Sequence, residues 1–313
     1  MKNYNPIISV VIPYYNRSST IKRTIKSVLE QTLSSWEMII VDDGSEVLER
    51  DALFQIVRDF NDNRISVIPN EKNCGGGHAR NVGIIESKGE YIAFLDSDDE
   101  WYQNKLQLQF ELHRDNDEKL ISYTKSIIKY GEGSEQQEPI PKIAITPNDK
   151  IADYLFVKGG FMPTPSLFGS TKVLQNCLFD TSLSRHQDYD LLLSLESYGC
   201  DFKMIDEVLV TIHWEDVGTN AGDRFYCPEV SSKFVKDRIS QFSERSSAAF
   251  RLNNIFAPIR MKEGLIKALY PGFISDIIAV RLWRVRIFTF VLLIFGSTKP
   301  LKFPLKFYNK FLR

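Results

Sequence analysis

The 313-residue chain sets 39 Lys and Arg against 40 Asp and Glu, and is 43% hydrophobic and 25% charged. Such a composition belongs to a globular chain with room for one large domain or two modest ones. A net charge of −1 by itself says nothing about nucleic acid, and no nucleic-acid partner is expected. The distribution of charge says more. No acid follows Asp276, and residues 277–313 hold Arg281, Arg284, Arg286, Lys299, Lys302, Lys306, Lys310 and Arg313, a local +8 that leaves −9 on the rest of the chain. Cys74, Cys177, Cys200 and Cys227 are widely spaced and form no C-x-x-C pair, so the spacing suggests neither a zinc site nor a disulfide framework. A reducing cytosol fits that usage. Polar "MKNYNP" runs straight into a strand-like segment, which does not read as a signal peptide.

In chain order, "IISVVIPYY" (7–15) is nearly continuous in apolar, β-branched residues, as in a strand buried on both faces. Ile21, Ile25, Val28 and Leu29 recur at helical spacing and predict a helix over 19–32 with Ser19 as its cap. A strand is predicted over 36–45, a helix over 47–60 and a strand over 64–70. A Gly-rich turn and helix follow over 75–88, and a fourth strand over 91–99. Strands alternating with helices predict an α/β fold with a mostly parallel central sheet and flanking helices. Its ligands are expected beyond the carboxyl ends of the strands. The clusters "YYNR", "VDDGS" and "DSDD" each follow a strand, so the fold gathers them around one crevice.

The second half is less regular. Residues 129–150 read as an exposed loop or hairpin, 186–199 as a helix, 204–214 as a strand and 215–223 as a mobile loop. The expected organisation is one domain over 1–225 and a helical extension over 226–313, whose tail begins near 273.

The densest chemistry lies in "YIAFLDSDDEW", where Asp96, Asp98, Asp99 and Glu100 crowd a strand end. Carboxylates at i and i+2 can share one hard cation, Mg²⁺ or Mn²⁺, with substrate phosphates. The alternative is a solvated helix start with spare acids. An EF-hand is excluded, because Glu100 and Trp101 stand where the calcium loop needs Asp or Asn and then Gly. "NCGGGHARNVG" fits neither the dinucleotide nor the P-loop pattern, but its N–H groups and Arg80 could meet a phosphate. Asp42 and Asp43 could accept from a base or ribose, or serve only an Asx turn. Asp188 and Asp190 lie two apart and so do not share a helix face; one of them is a candidate general base. His213 ends a strand, where a lone His is more often structural than a ligand.

Taken in order, "SVVIPYYNR", "TIKSVLEQT", "WEMIIVDDGS", "NCGGGHARNVGI", "GEYIAFLDSDDEW" and "HQDYDLLLSL" resemble family 2 glycosyltransferases of the GT-A fold, of the type that builds bacterial surface polysaccharides. The match is dense over 7–101 and thinner to about 215. The resemblance implies a UDP-sugar donor and a Mg²⁺ or Mn²⁺ ion. It implies Pro13, Tyr15 and Asp43 around the nucleotide, Arg80 on base or phosphate, and Asp96 with Ser97 at the donor. Asp96, Asp98 and His213 fall toward the metal, and Asp188 at the catalytic base of an inverting displacement. Gln187 precedes Asp188 where the family often has Glu. A nucleotidyltransferase is the rival enzyme, but "PYYNR" lacks its Gly-rich basic loop; a sugar-nucleotide-binding protein without turnover is the other rival.

The tail interleaves Phe, Trp and Leu with Lys and Arg. Its apolar run 287–295 is about half the roughly 20 residues a spanning helix needs. This predicts an interfacial segment on an anionic membrane, at the inner face of the plasma membrane. The alternatives are packing on the body or a homodimer contact. With the family habit, the tail points to a glycan acceptor linked to polyisoprenyl diphosphate.

Overall fold

The structure is a computed structural model and describes residues 5–131, 138–214, 226–269 and 271–280. The loop expected at 215–223 and the basic tail beyond 280 lie outside the described residues. The chain divides into two compact units, Met1–Pro147 with Phe161–Glu215, and Asn148–Gly160 with Asp216–Arg313.

The first unit is built on an eight-stranded sheet: β1 (Ile8–Tyr14), β2 (Trp36–Asp42), β3 (Ile65–Pro69), β4 (Tyr91–Phe94), β5 (Glu100–Trp101), β6 (Leu120–Lys129), β7 (Phe168–Ser170) and β8 (Asp201–His213), in the order β3-β2-β1-β4-β7-β6-β8-β5. The β3-β2-β1-β4 half is parallel throughout. Beyond it the sheet is mixed, with β7 antiparallel to β4 and β6, and β6 parallel to β8. The chain moves outward from β1 to β3, then returns to the other side of β1 as β4. That reversal makes the carboxyl ends of β1 and β4 a topological switch point, the position where open α/β sheets hold ligands.

Helices α1 (Ser18–Leu29), α2 (Val47–Phe60) and α3 (Gly76–Glu86) connect these strands. Ile21, Ile25 and Val28 of α1 are fully buried among the β1 and β2 side chains Val10, Ile12, Met38 and Ile40. The cap differs from expectation. α1 begins at Ser18, with Ser19 already inside it and no side-chain cap; Glu49 of α2 accepts the Ser18 N–H at 2.9 Å instead. α3 lies so close to β1 that a Cβ at Gly83 would come within 2.3 Å of Val11 Cγ1.

Helix α4 (Lys105–Arg114) buries Lys105, Gln109 and His113 on one face. The Lys105 ammonium lies 4.1 Å over the Trp101 ring and donates to Gln109 Oε1 at 2.6 Å. Burial pushes its pKa well down and lowers His113 to about 4. Helices α5 (Ile151–Phe156), α6 (Thr171–Asn176) and α7 (Gln187–Ser197) follow.

The second unit has its own apolar centre of Ala248, Ala249, Leu252, Phe256, Ala268, Phe273 and Val280. The segment Asn148–Gly160, which carries α5, belongs to it. Phe156 stacks on Phe242 at 5.5 Å, and Ser243 donates to Asp153 at 2.5 Å while capping the helix Glu244–Arg251. Arg251 makes a bidentate pair with buried Asp276 at 2.7 and 2.6 Å. No helix among the described residues is long and apolar enough to cross a membrane.

Gly83→Ala tests how tightly α3 sits on β1. Replacing Gly in a helix gains about 1 kcal/mol of propensity, but forcing a methyl into a packed contact costs about 1–3 kcal/mol. Net destabilisation is expected in urea unfolding, and Val11→Ala in the same chain should make the pair less costly than the sum of the single changes.

Candidate functional site

The four crowded acids begin where β4 ends. The Leu95 N–H donates to Val11 O at 3.1 Å, holding the loop at the switch point, and the Asp99 N–H turns back to Asp96 O at 3.1 Å. Helix α1 then takes the loop carbonyls: Thr20 Oγ1 donates to Ser97 O at 2.9 Å, Arg23 to Asp98 O at 2.6 Å and Thr24 Oγ1 to Asp99 O at 2.8 Å. Thr20 and Thr24 stand one turn apart, so both reach the same loop. Their only sequence signal is two buried hydroxyls beside an apolar stripe.

Each acid finds a different partner. Asp96 accepts from Arg80 Nη2 at 2.5 Å. Asp98 lies 3.7 Å from Arg17 Nη2. Asp99, only 3% exposed, accepts the backbone N–H of His213 at 2.9 Å. Glu100 meets the His213 ring, Oε2 to Nε2, at 2.6 Å. Burial, with the charges of Asp96 and Asp98 adding, pushes the Asp99 carboxyl well above the usual carboxylate range. Burial also lowers the pKa of His213, against the pull of Glu100.

The side of the site expected to border the nucleotide is built by two loops that interlock. Asn16, at φ 49° just past β1, donates its N–H to Ser45 Oγ at 3.0 Å, and its side chain accepts the Glu46 N–H at 2.9 Å. Pro13 is half-buried, and Tyr15 projects with 44% exposure. Asp42 serves the fold: fully buried, it accepts from Ser45 N at 3.0 Å and Arg50 Nε at 2.8 Å. Asp43 reaches the Gly-rich turn and accepts from Gly75 N at 2.7 Å, Cys74 N at 3.1 Å and Asn70 Nδ2 at 3.0 Å.

Arg80 and Asp188 complete the site. The Arg80 guanidinium packs 5.5 Å over the Phe179 ring, and its buried Nε has no hydrogen-bond partner. Asp188 stands in the first turn of α7, where Oδ1 accepts the Tyr189 N–H at 2.9 Å. Burial raises its pKa; the positive charge of Arg80 opposes the shift and the negative charge of Asp96 adds to it. Two bare glycines admit these groups. A Cβ at Gly77 would meet the Gln187 carboxamide at 3.1 Å, and one at Gly76 would meet Arg80 Nη1 at 3.0 Å. Burial lowers the pKa of neighbouring His186 to about 3, so its ring is neutral.

The structure thus brings Arg80, Asp96 and Asp188 within electrostatic reach of one another, and ties Ser97 and Asp98 to α1. Asp96, Asp98 and His213 do not close as three ligands here, since the His213 ring is engaged by Glu100 and Asp96 by Arg80. An all-oxygen donor set at Asp96 and Asp98 suits a hard cation. The repulsion these acids exert on buried Asp99 is a negative field that a divalent ion would offset. Arg17, Thr20, Arg23, Thr24 and Glu100 are working residues of this loop that sequence reasoning did not assign.

The sequence profile described as glycosyl transferase family 2 matches residues 9–178. WcaA of Escherichia coli strain K12, named for glycosyl transfer in colanic acid biosynthesis, is 38% identical over 218 residues, 68% of this chain and 74% of WcaA. WfgD of Escherichia coli, named as a UDP-Glc:alpha-D-GlcNAc-diphosphoundecaprenol beta-1,3-glucosyltransferase, is 41% identical over 106 residues, 34% of this chain and 40% of WfgD. Residues 1–349 of S. aureus TarS, solved in complex with UDP-GlcNAc, superpose with a TM-score of 0.59 at 19% identity, covering 91% of this chain and 86% of that one. That last likeness is one of fold.

Asp99→Asn separates the structural acid from its neighbours. A carboxyl whose folded pKa is raised binds its proton more tightly in the folded chain. Wild-type stability in metal-free buffer should therefore fall as pH rises above the unfolded value of about 3.9. The variant lacks this loss and keeps an acceptor for the His213 N–H. The two proteins should match below about pH 4 and diverge above it in favour of the variant, the gap widening by about 1.4 kcal/mol for each step of one in pH until the folded carboxyl ionises. Urea unfolding across pH measures this, and a pH-independent difference would contradict the assignment.

Proposed function

Because the chain belongs to glycosyl transferase family 2, we propose that it is an inverting, metal-dependent hexosyltransferase moving a hexose or N-acetylhexosamine from a UDP-sugar to a hydroxyl of a glycan acceptor linked to polyisoprenyl diphosphate. The proposed setting is the synthesis of a surface polysaccharide such as O-antigen, capsule or exopolysaccharide. One observation carries the reading: a partly enclosed carboxyl with a raised pKa, Asp188, shares the electrostatic surroundings of Arg80 and Asp96 at the switch point of the sheet. The donor named in WfgD and the nucleotide-sugar held by TarS support the donor class. The diphosphoundecaprenol acceptor in the name of WfgD supports a lipid-linked acceptor.

In this reading Pro13, Tyr15 and Asp43 border the base and ribose, and Arg80 faces the nucleotide while steadying Asp96. Ser97 presents the donor edge of a loop whose backbone α1 has fixed. Mg²⁺ or Mn²⁺ would be held by Asp96, Asp98 and His213, whose ring is paired with Glu100 here. When bound, the ion supplies positive charge beside the diphosphate leaving group. Asp188 accepts the proton of the acceptor hydroxyl as that oxygen bonds to the anomeric carbon and the bond to the diphosphate breaks. Attack opposite the leaving group turns an α-linked donor into a β-glycoside. The elevated pKa of Asp188 suits this, because a base works best with a pKa near the operating pH.

A lipid-linked acceptor calls for a surface that meets a membrane. On the helix Phe273–Ala279, Ile274 and Ile278 are 73% and 62% exposed, one turn apart, immediately before the basic aromatic tail. We assign this helix and tail to the cytoplasmic face of an anionic membrane, as a peripheral anchor.

Calorimetry tests the donor site. UDP binding should strengthen with Mn²⁺ in the wild type and lose that dependence in Asp98→Ala. Asp188→Asn should keep UDP affinity within about threefold and lose about 10²–10⁴ in turnover, the usual weight of a general base. Loss of UDP affinity in Asp188→Asn would move that residue from chemistry to binding.

The anchor has its own test, cosedimentation with phosphatidylserine vesicles. Binding should weaken by about a hundredfold when Arg281, Arg284 and Arg286 become Ala, taking about 1 kcal/mol for each cation. It should also weaken in high salt. Equal binding to neutral vesicles would remove the electrostatic part of the assignment.

A further inference from the structure

Cysteine spacing suggests no zinc site, but the fold brings one cysteine to partners that spacing does not reveal. Gly44 follows the Asp42–Asp43 pair with φ +72°, and a Cβ there would stand 2.4 Å from the Lys72 carbonyl carbon. Only a bare glycine lets the turn at 72–75 fold down on the end of β2. The turn then offers the Cys74 and Gly75 N–H groups to the Asp43 carboxylate. His78 follows in the first turn of α3, with Nδ1 3.4 Å from the Asn70 Nδ2 that itself donates to Asp43. One ligand atom each from Asp43, Cys74 and His78 lies within 4.8 Å of the other two, and among the described residues this is the group of three that gathers so closely.

The donor chemistry selects the ion. A thiolate, an imidazole and a carboxylate form a borderline-soft set that suits Zn²⁺ and is poor for Mg²⁺. Zn–S near 2.3 Å and Zn–N or Zn–O near 2.0–2.1 Å put the edges of a tetrahedron at about 3.3–3.8 Å. Closure therefore needs inward movement of about 1 Å. Cys74 and His78 are half-buried, whereas Asp43 is buried and already oriented by its hydrogen bonds. Such bonds to a ligating carboxylate are the outer support that metal sites commonly carry.

We propose that Asp43, Cys74 and His78 form a Zn²⁺ site whose fourth position is open to water, and that zinc there excludes the nucleotide. Binding turns the Cys74 thiol into a zinc-bound thiolate and releases its proton to solvent, so affinity rises with pH. The exclusion rests on the donor reading above, in which Asp43 faces the base or ribose. The site is then an inhibitory one, distinct from the hard-cation position at Asp96 and Asp98.

The test uses the full chain, freed of metal by chelation, with zinc affinity read by competition against a chromogenic chelator and no nucleotide present. The wild type should bind one equivalent. Cys74→Ser and His78→Ala should each weaken binding by about tenfold or more, whereas Cys227→Ser should not. Circular dichroism and melting confirm that each variant folds, and Cys74→Ser leaves the backbone N–H to Asp43 in place. No zinc binding by the wild type, or equal affinity in the Cys74 and His78 variants, overturns the site. In the second arm, UDP affinity should fall about tenfold with zinc at about ten times its Kd, and much less in Cys74→Ser. Unchanged UDP affinity in zinc-saturated wild type overturns the exclusion. A zinc-free wild type that binds no UDP refutes the donor reading and the exclusion with it, while the first arm still decides the zinc site.

Discussion

Four acids within five residues at the end of β4 are the constraint around which the catalytic half is arranged. Two carboxylates about 5 Å apart repel by about 3 kcal/mol at an effective dielectric of about 20, so the cluster needs compensation from outside itself. The compensation comes from four directions: Arg80 on α3, Arg17 at the start of α1, and the backbone and ring of His213 at the end of β8. These segments are far apart in sequence. The acid loop thus acts as a joint that sets where α1, α3 and β8 end relative to β4. Asp99 is the least solvated member, and its pKa is raised first by burial and then by the charges of Asp96 and Asp98.

The same geometry gives neighbouring acids different partners. Asp42 and Asp43 are adjacent and both buried, yet Asp42 is consumed by Arg50 and its own turn, whereas Asp43 faces the Gly-rich segment. Asp99 serves β8, while Asp96 pairs with Arg80 and Asp98 with Arg17. Adjacent residues in an extended chain point to opposite sides, so a pair of acids at a strand end naturally meets different partners.

Much of this was legible from local pattern. β1 to β3 and the three helices stand within a few residues of expectation, because continuous apolar runs and helical periodicity are properties of short windows, whereas β4 ends at Phe94 and not at the expected 99 because the chain turns there into the acid loop. The motifs "VDDGS", "NCGGGHARN" and "DSDD" mark the same crevice. What remained hidden depends on distant partners. Ser19 reads as a cap, yet Glu49, thirty residues on, takes that work. Thr20 and Thr24 gain their role only from the loop carbonyls of Ser97 and Asp99, more than seventy residues away. The assignment of Asn148–Gly160 to the second unit follows from aromatic contacts with Phe242 and Phe250 that no local periodicity encodes. His213 and Glu100 find each other across 113 residues because β5 pairs with β8 at the edge of the sheet.

Arg80 ties the two chemical halves of the site together. Its guanidinium lowers the pKa of Asp188, while Asp96, the carboxylate it is paired with, raises it. Burial is the largest cause of the raised pKa of Asp188, and these two charges modify it in opposite directions. A positive charge at Asp96 would weaken the repulsion and favour the ionised form of Asp188. The three groups respond to charge together because one arginine lies between two acids at the point where the sheet reverses direction.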